Sequence, residues 1–230
     1  MFLFNEKKCA DICLKNTNKY VFKAVNDLIS DFERVSTFGV KPKIVKNVTQ
    51  NCIIIEENTR TSAEPVADES YSITTENGNI VIRADGYLGT MWGIYTLSEK
   101  FLDVDPCYLF NDLAIVKKNA VELSEVDIAD KPDGFGFRGV FINDEDLLQG
   151  WKDGGGARLV GGGYYYVTVA KTVIEKVVET VLRLKLNLVI PATFIDLDNP
   201  PEKDLADAVA ERGIYLSQHH CEPLGVSSFT

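Results

Sequence analysis

Two short stretches hold the groups best suited to chemistry. Asn143, Asp144, Glu145 and Asp146 follow directly after an apolar run, "FRGVFI". The second stretch, "SQHHCEPLG", runs from Ser217 to Gly225 and carries both histidines, His219 and His220, with Cys221 and Glu222 beside them. A carboxylate can activate water, protonate a leaving oxygen or stabilise positive charge. An imidazole can donate to a hydroxyl or, when protonated, to a carboxylate. Successive strand residues face opposite sides of a sheet, so the two rings share one ligand only where the strand has already ended. Zinc binding by His219, His220, Cys221 and Glu222 lacks the usual ligand spacing, and neither a metal nor a cofactor is expected.

The glycine-rich "DGGGARLVGGG" invites a phosphate-binding reading but sits in the wrong context. The dinucleotide fingerprint places its glycines directly after a strand, whereas Gly154 lies well past the end of "FRGVFIN". A long loop over the strand ends is the better reading, with Arg158 as a contact for an acidic substrate. Trp151, Tyr164, Tyr165 and Tyr166 flank the loop. Their rings suit stacking on sugars and equally suit packing.

The elements that position these groups alternate. "FRGVFIN" reads as a strand and "YYYVTVAKTVIEKVVETVLRLK" as a long helix with Ala170, Val173, Ile174, Val177, Val178, Val181 and Leu182 on its apolar face. Glu179 and Arg183 form an i,i+4 pair in the favourable order. "LNLVIPATFI" reads as a strand buried on both faces. It is followed by a helix that Asn199 caps, Pro201 opens and Gly213 ends, and then by the strand "IYLSQ". Strand, helix, strand, helix, strand predicts parallel β/α units. Functional residues in such folds gather after the carboxyl ends of the strands. That rule selects the acidic cluster, Pro191 to Thr193 with Asp196 and Asp198, and Gln218 onward.

The first part of the chain reads differently. "NKYVFKAVNDLISDFERVS" predicts a helix with Phe22, Val25, Leu28 or Ile29, Phe32 and Val35 inward, capped by Asn16, Thr17 or Asn18. "NCIIIEEN" is a short buried strand. "SYSITTENGNIVIRAD" is a hairpin turning on Asn77-Gly78, a pair suited to the positive φ of a type I′ turn. "DGYLGTMWGIYTLSEKFLDV" is a helix for which Asp85 is the cap, with Gly86, Gly89 and Gly93 on one face for close approach to a sheet. "ELSEVDIADKPDG" reads as a linker. The expectation is a small α+β domain with helices on one face of a sheet over residues 1–131, then a parallel β/α domain over 132–230.

Composition bounds the function. The chain has 230 residues, 45% of them hydrophobic, and a formal net charge of −10. The acidic balance argues against a nucleic-acid partner. No apolar run is long enough for a membrane span, and "MFLFNEKKCADICLKN" lacks the pattern of a secretory signal, so a cytoplasmic location is expected for the chain as written. Cys9, Cys13, Cys52, Cys107 and Cys221 are an odd set without framework spacing and read as free thiols. Cys9 and Cys13 would share a helix face, but two thiols alone make a poor metal site.

"FRGVFINDEDL", "ETVLRLKLNLVIPA", "LADAVAERGI" and "QHHCEPLG", in that order, resemble the opening of the catalytic barrel of glycoside hydrolase family 115, the xylan α-1,2-glucuronidases and their relatives. "ADGYLGTMWGIYTLSEKFL" followed by "YLFND" resembles the accessory domain that precedes that barrel. The resemblance implies a (β/α)8 TIM-type barrel, inversion without a metal, and a glucuronic acid substrate carried on xylan. It implies that Asn143, Asp144, Glu145, His219, His220 and Glu222 line the sugar pocket. Asp144 or Glu145 would act as base or electrostatic stabiliser, and the histidines would bind sugar hydroxyls or the substrate carboxylate. One departure is "VIPATF", where an aromatic residue is expected before the proline. The chain reaches only three strands of eight, so it is expected to be the N-terminal piece of a longer enzyme, with little turnover alone. A homo-oligomer covering the open barrel face is also expected. The competing reading is a non-catalytic carbohydrate-binding or structural module.

Overall fold

The computed structural model describes residues 1–58, 69–131, 135–143, 145–149, 151, 154–159, 166–193 and 195–219. The chain divides into two compact units, Met1–Gly134 and Phe135–Thr230.

The first unit contains β1 (Phe2–Phe4), β2 (Asp11–Lys15), helix α1 (Val21–Val35), β3 (Ile44–Val45), β4 (Cys52–Glu57), β5 (Tyr71–Glu76), β6 (Asn79–Ala84), helix α2 (Tyr87–Leu97), β7 (Val121–Glu122) and β8 (Asp127–Asp130). One sheet runs in the order β3-β2-β4-β6-β5-β8, while β1 pairs with β7. The sheet is parallel from β3 to β6 and antiparallel from β6 to β8. Ile53 and Ile55 of β4, Ile73 of β5 and Ile82 of β6 are fully buried, each burial contributing about 1.5–3 kcal/mol. The hairpin turns as its sequence demands, with φ of 49° at Asn77 and 76° at Gly78.

Helix α2 is buried from Leu88 to Leu97, as befits a helix that is apolar all round. It packs on β4, β5 and β6, and α1 packs against it. At Gly93 a Cβ would lie 2.6 Å from Ile82 Cγ2, so the glycine allows the helix to approach the sheet. Gly86, not Asp85, occupies the N-cap position, and no side chain caps the helix. Asp85 instead accepts a hydrogen bond from Asn58 Nδ2 at 3.3 Å. Helix α1 buries Val25, Leu28, Phe32 and Val35 as its period requires, but Phe22 is 46% exposed. Its start is not capped by Asn16, Thr17 or Asn18. Asn18 Oδ1 accepts from Tyr20 N, one residue ahead of the first turn.

Two further expectations change. Cys9 and Cys13 do not share a helix, because residues 11–15 are the strand β2. The segment expected to be a linker carries the edge strand β8, whose Ile128 pairs with Ile73 of β5. The cysteines of the described residues, Cys9, Cys13, Cys52 and Cys107, are free thiols. Among the described residues no helix is long and apolar enough to cross a membrane.

The second unit contains β9 (Gly139–Phe141), α3 (Glu145–Gln149), β10 (Gly156–Ala157), β11 (Val167–Thr168), α4 (Lys171–Arg183), β12 (Leu188–Ile190), α5 (Pro200–Ala210) and β13 (Tyr215–Leu216). β9, β12 and β13 are parallel, in the order β13-β12-β9. Helices α4 and α5 connect them and pack together through a core that includes Val178, Leu182, Leu205 and Val209. The long helix expected over 164–185 begins only at Lys171. Val167 and Thr168 are extended and pair with Ala157 and Gly156, the conformation that β-branched residues favour. Asn199 holds the N-cap position of α5 with no side-chain cap bond, and its Nδ2 donates to Glu202 Oε2 instead. Asn187 is fully buried: its Oδ1 accepts from Arg138 N at 2.9 Å and its Nδ2 donates to Gly136 O at 2.8 Å, which fixes β9 against β12.

Candidate functional site at the strand ends

The parallel ladder sets the site. Ile142 N donates to Ile190 O at 2.9 Å and Ser217 N to Val189 O at 3.1 Å, continuing the pairing just past the strands. The carboxyl ends of β9, β12 and β13 therefore lie at one edge of the sheet. Asn143 and Glu145 follow β9, Thr193 follows β12 and His219 follows β13. The His219 and Phe141 rings stack with centroids 4.2 Å apart and planes tilted by 31°, so the histidine lies beside the end of β9. Asn143 is exposed and His219 half-buried. Asp144, His220 and Glu222 lie outside the described residues, as do Tyr164 and Tyr165.

Glu145 is used differently from the sequence expectation. Its side chain is 0% exposed. Oε1 accepts from Arg158 Nη2 at 2.7 Å and Oε2 from Thr193 N at 3.0 Å. The Thr193 hydroxyl, with its single proton, is shared between Glu145 Oε2 and the Asn143 carbonyl. Arg158, expected to meet an acidic substrate, also has a side chain at 0% exposure, and its Nε lies 3.3 Å from Glu202 Oε1. Asn199 Nδ2 donates to Glu202 Oε2 at 2.8 Å and lies 3.2 Å from Ala157 O. Glu145 and Arg158 thus belong to an internal brace that ties α3, the end of β10, the end of β12 and the first turn of α5. A fully buried charge must be paired and hydrogen-bonded, and the pairing here is with protein groups. Burial pushes the Glu202 carboxyl up, and the Asn199 amide and Arg158 oppose that push.

The glycine-rich segment is in part a strand. Gly155 N donates to Thr168 O at 2.8 Å, and a Cβ at Gly155 would lie 2.3 Å from Val169 O. The glycine serves close pairing of β10 with β11. Trp151 is 40% exposed and holds Lys176 Nζ 4.6 Å from its ring centroid, a cation–π contact on the protein's own surface. Tyr166 is 65% exposed. Among the described residues no group of His, Cys, Asp or Glu could hold a metal ion.

Sequence reasoning missed the roles of Thr193, Asn199 and Glu202. An acid in the first helical turn normally signals interaction with the helix dipole. The one available hint was Arg158 itself, a lone arginine in a stretch of small and apolar residues.

Residues 130–229 match the family model described as Glycosyl hydrolase family 115. Among solved structures, the fold is similar to that of BtGH115A, described as a family GH115 4-O-methyl-alpha-glucuronidase with specificity for decorated arabinogalactans. The identity is 23% and the TM-score 0.72, over 94% of this chain and 29% of that one. It is also similar to Flavobacterium johnsoniae chitobiase, at 16% identity and TM-score 0.59 over 94% of this chain and 31% of that one. A Streptomyces plicatus beta-hexosaminidase follows at 14% identity and TM-score 0.57, over 94% of this chain and 42% of that one. The chain spans less than half the length of each of these structures. No curated protein sequence matches it. The family model matches less than half of the chain, over the segment that holds the ordered motifs and the parallel β/α units.

Proposed function

We propose that this chain supplies an accessory unit, residues 1–131, and the first three β/α units of a TIM-type glycoside hydrolase barrel, residues 132–230. The whole protein would release α-linked glucuronic acid from a uronate-substituted plant polysaccharide such as xylan, with inversion. The observation that carries the reading is the family 115 match over the segment holding the acidic cluster and the histidines. Inversion requires one carboxylate to activate water and one acid to protonate the leaving oxygen, about 6.5–9.5 Å apart across the sugar.

Within this reading the consecutive acids divide the work. Glu145 sits in the Arg158 brace and is a positioning residue. Asp144 is the acid at this strand end that acts as base or electrostatic stabiliser. Asn143 and His219, with His220 and Glu222, bind sugar hydroxyls or the uronate carboxylate. Catalysis needs both carboxyl groups in place, and a misplacement near 1 Å costs about a hundredfold. The 230-residue chain is therefore expected to bind glucuronic acid weakly and to turn over no glucuronide.

Calorimetric titration tests this. The chain should bind glucuronic acid in preference to glucose, and His219→Ala should weaken that binding by about tenfold, the loss of one charge-assisted hydrogen bond. Equal binding of glucose, indifference to His219→Ala, or a nucleotide bound in place of the sugar would contradict the proposal.

A further inference from the structure

A cavity of about 860 Å3 opens on the first unit, and its lining residues are distinct from every site residue assigned above. Lys7, Lys8, Lys41 and Lys43 line it against a single carboxylate, Asp11. That concentration of positive charge stands out on a chain whose net charge is −10.

The backbone beneath these lysines is fixed. Lys7 N and Lys8 N both donate to Asn5 Oδ1 at 3.0 Å, and Asn5 N donates to Lys8 O at 2.9 Å, closing a tight turn. On the facing segment, Lys43 O accepts from Ile12 N of β2 at 2.9 Å. Two separate elements thus carry the lysines on fixed backbone, which limits the backbone ordering that binding requires. Lys41 pairs with Glu33 at 3.2 Å and Lys7 with Glu6 at 3.7 Å, exposed pairs that a competing anion can displace. Among the described residues, Lys8 and Lys43 meet no carboxylate within salt-bridge distance. Cys9 also lines the cavity, and burial pushes its thiol up to about 12, so it adds no negative charge there.

We infer that this cavity binds a carboxylated oligosaccharide, with separate carboxylates held by the Lys8 turn and by Lys43. The volume falls within the range of small-molecule sites and exceeds the needs of a single inorganic anion. Its cations are point charges on two elements, which suits charges spaced along an extended ligand. The bidentate fork that arginine offers to phosphate is not part of the lining. Thr49, Gln50 and Asn51 add polar groups able to meet sugar hydroxyls. The choice of a glycan over other polyanions rests on the glycosidase reading above.

The test is a titration of the 230-residue chain with tetragalacturonate, followed on the backbone amides of Lys7, Lys8 and Lys43. Cellotetraose, inorganic phosphate and a thymidine oligonucleotide serve as comparison ligands. Tetragalacturonate should give saturable shifts that weaken with salt. The Lys8→Gln/Lys43→Gln double variant, with its remaining amide spectrum unchanged, should bind at least about tenfold more weakly through loss of its charge-assisted contacts. His219→Ala should leave this binding intact. Cellotetraose binding equally well, phosphate or the oligonucleotide binding more tightly at these amides, or a double variant with unchanged affinity would each overturn the inference. Loss of glucuronic acid binding at the strand ends alone would count against the glycosidase reading and leave this site standing.

Discussion

In the first unit Arg83 lies on the sheet between Glu56, 3.1 Å from its Nε, and Glu76, 2.9 Å from its Nη2, with its own side chain 39% exposed. In the second unit Arg158 lies between Glu145 and Glu202 with all three side chains at 0% exposure. The composition is the same, and one carboxylate of each, Glu76 and Glu202, responds in opposite directions. The Arg83 hydrogen bonds, helped by the Thr74 hydroxyl, hold Glu76 down at about 2. Burial pushes Glu202 up despite its arginine. Solvation decides the sign. Where water still reaches the ions, pairing adds to an already favourable charged state. Where water is excluded, two acids on one guanidinium leave surplus charge that the interior resists. The surface triad is therefore a weak clasp. The buried one holds the strand-end loops together.

The largest expected effect follows from removing the buried cation. Arg158→Met leaves two buried carboxylates without their partner and should destabilise the second unit by about 3–5 kcal/mol. Urea denaturation read by hydrogen exchange in α4 and α5 measures this, and a loss under about 1 kcal/mol would mean that the brace is not internal. Glu202→Gln should act through pH. Its folded pKa is raised, so its contribution to stability is fully present below the ordinary carboxylate value. That contribution fades as pH rises through the raised folded value. The glutamine variant should thus be neutral or more stable near neutral pH, with a flatter stability profile above the ordinary carboxylate range. A steeper profile would reverse the sign assigned here.

Arg83→Met should have the smallest effect, under about 1 kcal/mol and reduced further by salt. Glu76 is depressed, so its contribution is present above the ordinary carboxylate value and lost as pH falls toward about 2. Thermal melts in mild acid should show a small loss in Arg83→Met relative to the parent. A loss comparable to that of Arg158→Met would erase the distinction between the two triads.

How much of this was legible in the sequence depended on whether the signal was local. Asn77-Gly78 specified its turn, and the α1 stripe was read correctly except at Phe22. Alternation of apolar runs with helical period located β9, β12 and β13. The edge strands were not legible, because β3 and β7 are two residues long and β8, "DIAD", alternates acids with apolar residues in a segment that resembles a linker. The start of α4 was misplaced because Val167 and Thr168 satisfy an apolar pattern while favouring extended backbone. The brace was invisible for a different reason. Glu145 meets Arg158 and Thr193, and Arg158 meets Glu202, only through the packing of four elements, and no spacing in the sequence encodes those meetings.

The division of labour between two adjacent acids is the point at which structure and proposed function meet. Urea midpoints and glucuronic acid affinities of Asp144→Asn and Glu145→Gln, measured side by side, test it directly. Glu145→Gln should lower stability by about 1–3 kcal/mol, as expected for a weakened buried charge-assisted network. Asp144→Asn should keep the parental midpoint and weaken glucuronic acid binding by about tenfold, the loss of one charged hydrogen bond. If Asp144→Asn destabilises the chain as much as Glu145→Gln does, or leaves the affinity unchanged, the assignment of the ligand role to Asp144 and of the brace to Glu145 is contradicted.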